Sequence, residues 1–452
     1  MHIHFIAIGG AAMHNLAIAL HKKGYEITGS DDEIFEPSKS RLKKHGILPE
    51  SFGWYPEKIH TKIDAIVLGM HAKKDNPELI KAQALGIKIY SYPAYLYEQS
   101  KDKTRIVIGG SHGKTTITSM ILHVLQEQNI ETDYMVGAQL EGFDTMVKLT
   151  ADAKYIVLEG DEYLSSPTNR IPKFHIYKPH IALLSGIAWD HMNVFPTFEI
   201  YVEQFRKFIK LIEKNGKLIW CSKDTELQKL AQEDFPSIAL QAYDIPNYHI
   251  ENGTTYIHFE GKEIPLGIFG EHNLMNLEGA KYLCAELGIS QKDFYNSISN
   301  FKGASKRLEL ISKNNTTAIY KDFAHSPSKL KASINAVKKQ FPERKLIACI
   351  ELHTFSSLNK DFLPQYKGTM EEADEAIVYF NPHTLEHKNL PSITKEEIIT
   401  AFDNKKLIIY NDSAQLRKDL LNKNWGNANL LMMSSGDYDG IDFADFAAIT
   451  EK

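Results

Sequence analysis

KTRIVIGGSHGKTT, Lys103 to Thr116, opens with an apolar run, Ile106 to Ile108, that reads as a buried parallel strand. The turn Gly109-Gly110-Ser111-His112-Gly113 then leads into Lys114-Thr115-Thr116 and a helical pattern from Ile117 to Gln126. Strand, loop and helix in that order aim backbone N–H groups and a helix N-terminus at one point, a cradle for polyphosphate. Lys114 brings a positive charge to the β/γ-phosphates, and the Thr115 hydroxyl offers a hard oxygen to Mg²⁺. The general phosphate-loop pattern has glycine where Ile108 stands, so the match lies in its Gly-Lys-Thr core. A plain glycine turn with a solvated lysine is the competing reading.

Upstream, Phe5-Ile6-Ala7-Ile8 reads as a strand, followed by Gly9-Gly10-Ala11-Ala12-Met13, a helix to about Lys23, and a second strand, Glu26-Ile27-Thr28, ending at Gly29-Ser30-Asp31. This βαβ start carries a glycine turn that lets a diphosphate approach the backbone. Alanine replaces the last glycine of a dinucleotide fingerprint, and Asp31 is placed either to bind a ribose or to cap the next element. Ala65-Ile66-Val67-Leu68 runs into Gly69-Met70-His71, and Asn76-Pro77-Glu78 starts a helix with proline near its first position. A short strand at Ile87 to Tyr90 completes an α/β domain over residues 1–102.

Downstream, residues 103–303 form a second region. Tyr155-Ile156-Val157-Leu158 delivers Glu159-Gly160-Asp161-Glu162 to a strand end, and Ile181 to Leu184 leads to Asp190-His191-Met192. Ligands in open parallel sheets gather at that edge, so Glu159 and His191 are candidate metal ligands beside Thr115. Phe269 to Asn276 enters a helix on which His272, Asn273 and Asn276 fall in the first turns. The two asparagines share a face and suit either a purine or helix capping. Residues 304–452 alternate again: Thr317–Tyr320, Leu346–Glu351, Glu375–Tyr379, Leu407–Tyr410 and Asn429–Met433 read as strands and Ser328–Phe341 as a helix. Polar strand ends carry Asp322, His325, His353, Thr354 and Ser434, and Arg307 stands in a basic, small-residue hinge.

The 452 residues suffice for about three domains, and 43% hydrophobic content fits globular structure. A net charge of −5 with interspersed signs gives no case for nucleic acid or membrane binding by bulk electrostatics. Cys221, Cys284 and Cys349 are scattered, as expected for buried thiols in a reducing cytoplasm, and the N-terminus lacks a signal-peptide pattern.

Six motifs, Gly110 to Thr116, Glu159 to Glu162, Asp190 to Met192, Gly270 to Asn276, Lys306 to Glu309 and Asp322 to His325, resemble in order and spacing the Mur ligases, which make ATP-dependent amide bonds on peptidoglycan precursors. The resemblance spans the chain. It implies an α/β protein of three domains: an N-terminal Rossmann-like domain for the UDP sugar, a central P-loop ATPase and a C-terminal Rossmann-like domain that closes over the site. ATP and Mg²⁺ are the implied cofactors. The implied reaction phosphorylates the lactyl carboxylate of UDP-N-acetylmuramate to an acyl phosphate, which an amine then attacks.

The resemblance assigns Gly110, Ser111, His112, Gly113, Lys114, Thr115, Thr116 and His272 to the nucleotide, Asn273 and Asn276 to the adenine, and Asp322 to the ribose. Thr115, Glu159 and His191 fall to the metal. Gly9, Gly10, Ala11, Ala12, Asp31 and His71 fall to the UDP sugar, and His353 and Thr354 to the amine. Lys114, Arg307 and His325 are the expected catalytic residues. Arg170 to Phe174 and Phe323-Ala324-His325 are similar to family members that add the tripeptide L-alanyl-γ-D-glutamyl-meso-diaminopimelate; Leu352 to Ser356 is similar to those that add L-alanine. The tripeptide is the expected acceptor, with alanine the alternative. Gly186 and Ala188 stand where the family usually has asparagine and glutamate, which also admits a non-catalytic sensor of the same ligands.

Overall fold

The computed structural model describes residues 1–140, 142–166, 170–189 and 194–451. They form two compact units, Met1–Asp244 with Glu278–Ser297, and Ile245–Leu277 with Ile298–Lys452.

The first unit holds two sheets. One is parallel throughout, in the order Glu26–Ser30, His2–Ile6, Ala65–Leu68, Lys88–Ser91. The larger runs Ala239–Tyr243, Lys217–Cys221, Ile181–Leu184, Thr104–Gly109, Tyr155–Glu159, Thr132–Met135, Val147–Lys148, and its last strand alone is antiparallel. The continuous apolar runs follow from parallel pairing, since strands covered on both faces have no polar side to show. Ile106, Val107 and Ile108 are fully buried at the centre. The helix after the glycine turn spans Lys114–Glu127, starting a turn before the expected Ile117, because its first residues are polar and carry no apolar period. Likewise the first helix begins at Ala11 rather than Met13. Asn15 Oδ1 accepts the Met146 amide at 2.9 Å and Arg41 donates to Gln139 Oε1 at 2.9 Å, tying the first sheet's helices to the loop beyond Met135.

The second unit contains a six-stranded sheet in the order Glu309–Lys313, Ala318–Asp322, Ala428–Met433, Lys345–Leu352, Glu375–Phe380, Ile408–Tyr410, parallel apart from its first strand. It also contains an antiparallel sheet, Tyr248–Glu251, Thr254–Phe259 and Lys262–Leu266, unforeseen from the sequence. Its turns are Asn252-Gly253 and Glu260-Gly261, all four residues at positive φ, the twist that two-residue hairpins need. Thr255 Oγ1 donates to Gln340 Oε1 at 2.9 Å and Gln340 Nε2 to the Gly253 carbonyl at 2.7 Å, joining this sheet to the helix Pro327–Gln340. All three cysteines are buried and free. No helix among the described residues is long and apolar enough to cross a membrane.

Candidate active site

The turn after Thr104–Gly109 is shaped by two glycines at positive φ, Gly110 at +120° and Gly113 at +73°. A Cβ on Gly110 would lie 2.3 Å from Ser185 Oγ and 2.9 Å from the Ser185 amide nitrogen, so only glycine lets the loop pack on the neighbouring strand end. Lys114 folds back over the loop, its Nζ donating to the Gly110 carbonyl and to Glu162 Oε2, both at 2.8 Å. Burial opposes its charge, but the carboxylates of Glu162, Asp161 and Glu159 together hold Lys114 above its ordinary value. Ser111 Oγ hydrogen-bonds the Tyr201 hydroxyl at 2.9 Å and accepts the Ala188 amide at 2.9 Å, while Tyr201 donates to Glu162 Oε1 at 3.0 Å. Ser185 Oγ donates to the His112 carbonyl, and Thr116 is buried in the helix's first turn.

Thr115 Oγ1 donates to Glu159 Oε1 at 2.9 Å, and Glu159 Oε2 accepts the Gly137 amide at 2.8 Å. Two hard oxygen donors thus meet beside the glycine loop, a set that suits Mg²⁺. Asp161 accepts from Lys173 Nζ at 2.6 Å; although burial opposes ionisation, Lys173 and Lys114 bring its carboxyl down to about 2. His191 lies outside the described residues. Gly186, at φ +152°, would place a Cβ 3.1 Å from Asp224 Oδ2, the atom that accepts the Ile187 amide at 2.8 Å, which accounts for a side-chain-free residue there.

At the edge of the four-stranded sheet, Gly9 and Asp31 come together: Asp31 Oδ2 accepts the Gly9 amide at 2.7 Å, and Oδ1 accepts the Asp32 amide at 3.0 Å. Asp31 therefore anchors the glycine turn. Burial outweighs these bonds and pushes its carboxyl up to about 6. Gly10 caps the helix that begins Ala11-Ala12, and His71 is exposed in the turn after Ala65–Leu68.

In the second unit, polar residues again collect at strand ends. Asp322 is buried, and its carboxylate accepts the Phe323 amide at 2.8 Å, the Leu308 amide at 3.3 Å and the Ser333 hydroxyl. It holds the segment Lys306–Leu308, whose end residues both have positive φ. Arg307 lies over the Phe323 ring at 4.5 Å and lines a cavity of about 530 Å³ with Asn273, Lys302, Lys313 and Arg344. No carboxylate lines that cavity among the described residues, which favours an anion. Asn273 Nδ2 donates to the Phe269 carbonyl at 2.9 Å, and Asn276 is buried on the same helix. Burial lowers His272 below its ordinary value against the pull of Asp322 and Glu271. His325 Nδ1 hydrogen-bonds the Phe323 carbonyl at 2.9 Å. His353 Nδ1 sits 3.5 Å from Glu351 Oε1, and Thr354 Oγ1 accepts the Ser357 amide at 3.0 Å, closing its own turn.

Residues 2–104 match the family description "Mur ligase family, catalytic domain", residues 108–284 "Mur ligase middle domain" and residues 306–436 "Mur ligase, glutamate ligase domain". The UDP-N-acetylmuramate–L-alanine ligase of Clostridium kluyveri is 30% identical over 391 residues, 83% of this chain and 82% of the relative. The chain belongs to the Mur ligase family. A Mur ligase relative of the same description from Clostridium acetobutylicum is 30% identical over 435 residues, 89% of this chain and 92% of its own. Two solved Mur ligases share the fold: the UDP-N-acetylmuramate-alanine ligase of Thermotoga maritima, TM-score 0.70 at 19% identity, covers 97% of this chain and 96% of its own, and the murein peptide ligase of Psychrobacter arcticus, 0.65 at 23%, covers 100% and 99%. As a Mur ligase this protein has three α/β domains, Rossmann-like at both ends with an ATP-binding domain between, and is an ATP- and Mg²⁺-dependent ligase that forms C–N bonds.

The residues present fit that chemistry. The Gly110 clearance, the Lys114 ammonium and the helix N-terminus have the shape and charge that a phosphate requires, and Thr115 and Glu159 could offer oxygen ligands to Mg²⁺. Glu162 and Tyr201 were not singled out from sequence. Glu162 lay within the quoted acidic motif, whereas Tyr201 had no signal, being 90 residues from the Ser111 it touches.

Proposed function

We propose that this Mur ligase joins the lactyl carboxylate of UDP-N-acetylmuramate to the amine of L-alanine, in a cytoplasmic setting, with domains at 1–102, 103–303 and 304–452. The observation that carries the ligase chemistry is the convergence of Lys114, Thr115 and Glu159 on one glycine loop. For the acceptor, the 30% identical relatives bear the alanine name, and the loop Leu352 to Ser356 agrees with them. The tripeptide is the second reading, favoured by Arg170 to Phe174, where Lys173 bonds the acidic motif at Asp161.

Bound ATP would supply the phosphoryl group that turns the lactyl carboxylate into an acyl phosphate, with ADP as leaving group, and the amine would then displace inorganic phosphate to form the amide. Lys114 would take phosphate oxygens in place of part of its bond to Glu162, and Thr115, Glu159 and His191 would hold Mg²⁺, which would neutralise charge on the transferring phosphoryl group. The loop residues Gly110 to Thr116 cradle the phosphates; His272, Asn273, Asn276 and Asp322 are assigned to the nucleoside on the family resemblance. Gly10, Ala11, Ala12 and His71 take the UDP sugar, and Asp31 acts there through the Gly9 amide. Arg307 and His325 are the proposed catalytic pair for charge neutralisation and amine positioning, and His353 and Thr354 receive the amine.

ADP release that needs both UDP-N-acetylmuramate and an amine tests the reaction. Competition between L-alanine and the tripeptide at limiting UDP-N-acetylmuramate tests the acceptor, with alanine the expected product. Dominant tripeptide product overturns that choice.

A further inference from the structure

His249, His258 and Glu263 stand one on each strand of the small antiparallel sheet, apart from every residue assigned above. The register puts them on one face: Glu263 pairs directly with His258, and His249 pairs with Tyr256, two residues along from His258. His249 Nδ1 and His258 Nε2 are 3.1 Å apart, with the rings stacked at 4.9 Å, and His249 also stacks on Tyr256 at 5.1 Å. Glu263 Oε1 lies 3.7 Å from His249 Nε2 and 3.9 Å from His258 Nδ1. One ligand atom from each residue can be chosen so that all lie within 4.8 Å, the one such trio among the described residues.

We propose that His249, His258 and Glu263 bind a divalent transition metal of zinc's class, with water in the fourth position. Zn–N bonds of about 2.0–2.1 Å in a tetrahedron set neighbouring ligand atoms roughly 3.3 Å apart, close to the spacing of the imidazole pair. Glu263 is 54% exposed and free to rotate inward. Two imidazoles select a borderline metal over Mg²⁺ or Ca²⁺, which prefer oxygen alone. The stack on Tyr256 and the sheet register hold the ligands before the ion arrives. The ion would also bridge Tyr248–Glu251 and Lys262–Leu266, the two edge strands that flank the middle strand, and so clip a sheet of marginal size.

The test uses the full chain, stripped with chelator and kept in excess Mg²⁺. ZnCl₂ is titrated against a chromophoric chelator at pH 7.5, and Co²⁺ is read by its visible absorption. One equivalent at micromolar or tighter Kd is expected, at least ~10-fold weaker in H258Q, with the Co²⁺ band lost in H249Q/H258Q while ligase turnover is kept. Zinc binding unchanged in the double variant, or no wild-type binding tighter than millimolar, overturns the proposal. Should a variant misfold, X-ray absorption on the zinc-loaded wild-type chain decides: two imidazole ligands support the site and none refutes it.

Discussion

Lys114→Ala separates a stabilising contact from a catalytic one. In the folded chain the ammonium neutralises Glu162, whose side chain is 1% exposed, and also bonds the Gly110 carbonyl. Removing it leaves a buried carboxylate to which Tyr201 still donates at 3.0 Å. Breaking a buried pair from one side costs about 3–5 kcal/mol, and the retained Tyr201 bond puts this case near about 3. At roughly 2 °C per kcal/mol for a unit of this size, the melting temperature falls by about 6 °C. Glu162→Gln in the same background removes the stranded charge, keeps an acceptor for Tyr201, and recovers about half of that loss or more. Turnover behaves differently: it drops at least about 100-fold in both variants, because neither brings a cation to the phosphates. Differential scanning fluorimetry without nucleotide reads the first effect and coupled ADP release the second, with calorimetry showing UDP-N-acetylmuramate affinity nearly intact. An unchanged melting temperature in Lys114→Ala refutes the buried-pair reasoning, and recovered turnover in the double variant refutes the phosphate role.

Gly110→Ala forces a Cβ into Ser185 at a φ of +120°, costing about 1–3 kcal/mol of backbone strain and displacing the loop; ATP affinity by calorimetry should collapse, and retained affinity counts against the cradle. Asp31 has its folded value raised to about 6 from an ordinary 3.8, so the unfolded chain gives up this proton first and stability falls as pH rises from about 4 to 6. Asp31→Asn should therefore melt higher than wild type at pH 7.5 and lose that advantage near pH 4, and a difference independent of pH would contradict the assignment. Glu351 is the reverse case: despite burial, His353, the Ser434 hydroxyl and the Tyr438 amide hold it below the ordinary carboxylate value, so its contribution is present at neutral pH and is lost as pH falls through the folded value. Glu351→Gln should cost about 1–3 kcal/mol at pH 7, shrinking in acid, and raise KM for the amine through a loosened His353; an unchanged KM would remove Glu351 from that role.

What the chain reveals unaided is whatever neighbouring residues accomplish together. The strand, glycine turn and Lys114-Thr115 helix are consecutive, so their chemistry and handedness follow from local backbone rules, and apolar runs announce the parallel strands before any contact is known. The Asn252-Gly253 hairpin went unread, although a two-residue turn with both φ positive is a local event that an Asn-Gly pair announces. Tertiary packing alone decided which acid serves which partner. Glu162 rather than Asp161 or Glu159 bonds Lys114 across 48 residues, Thr115 meets Glu159 across 44, and Asp31 anchors Gly9 instead of standing free at its strand end. The same holds for His249, His258 and Glu263, unremarkable as separate letters and assembled only by strand register. The physical reason is range: hydrogen bonds and ion pairs discriminate over tenths of an ångström, whereas a sequence pattern places strand ends no better than a residue or two.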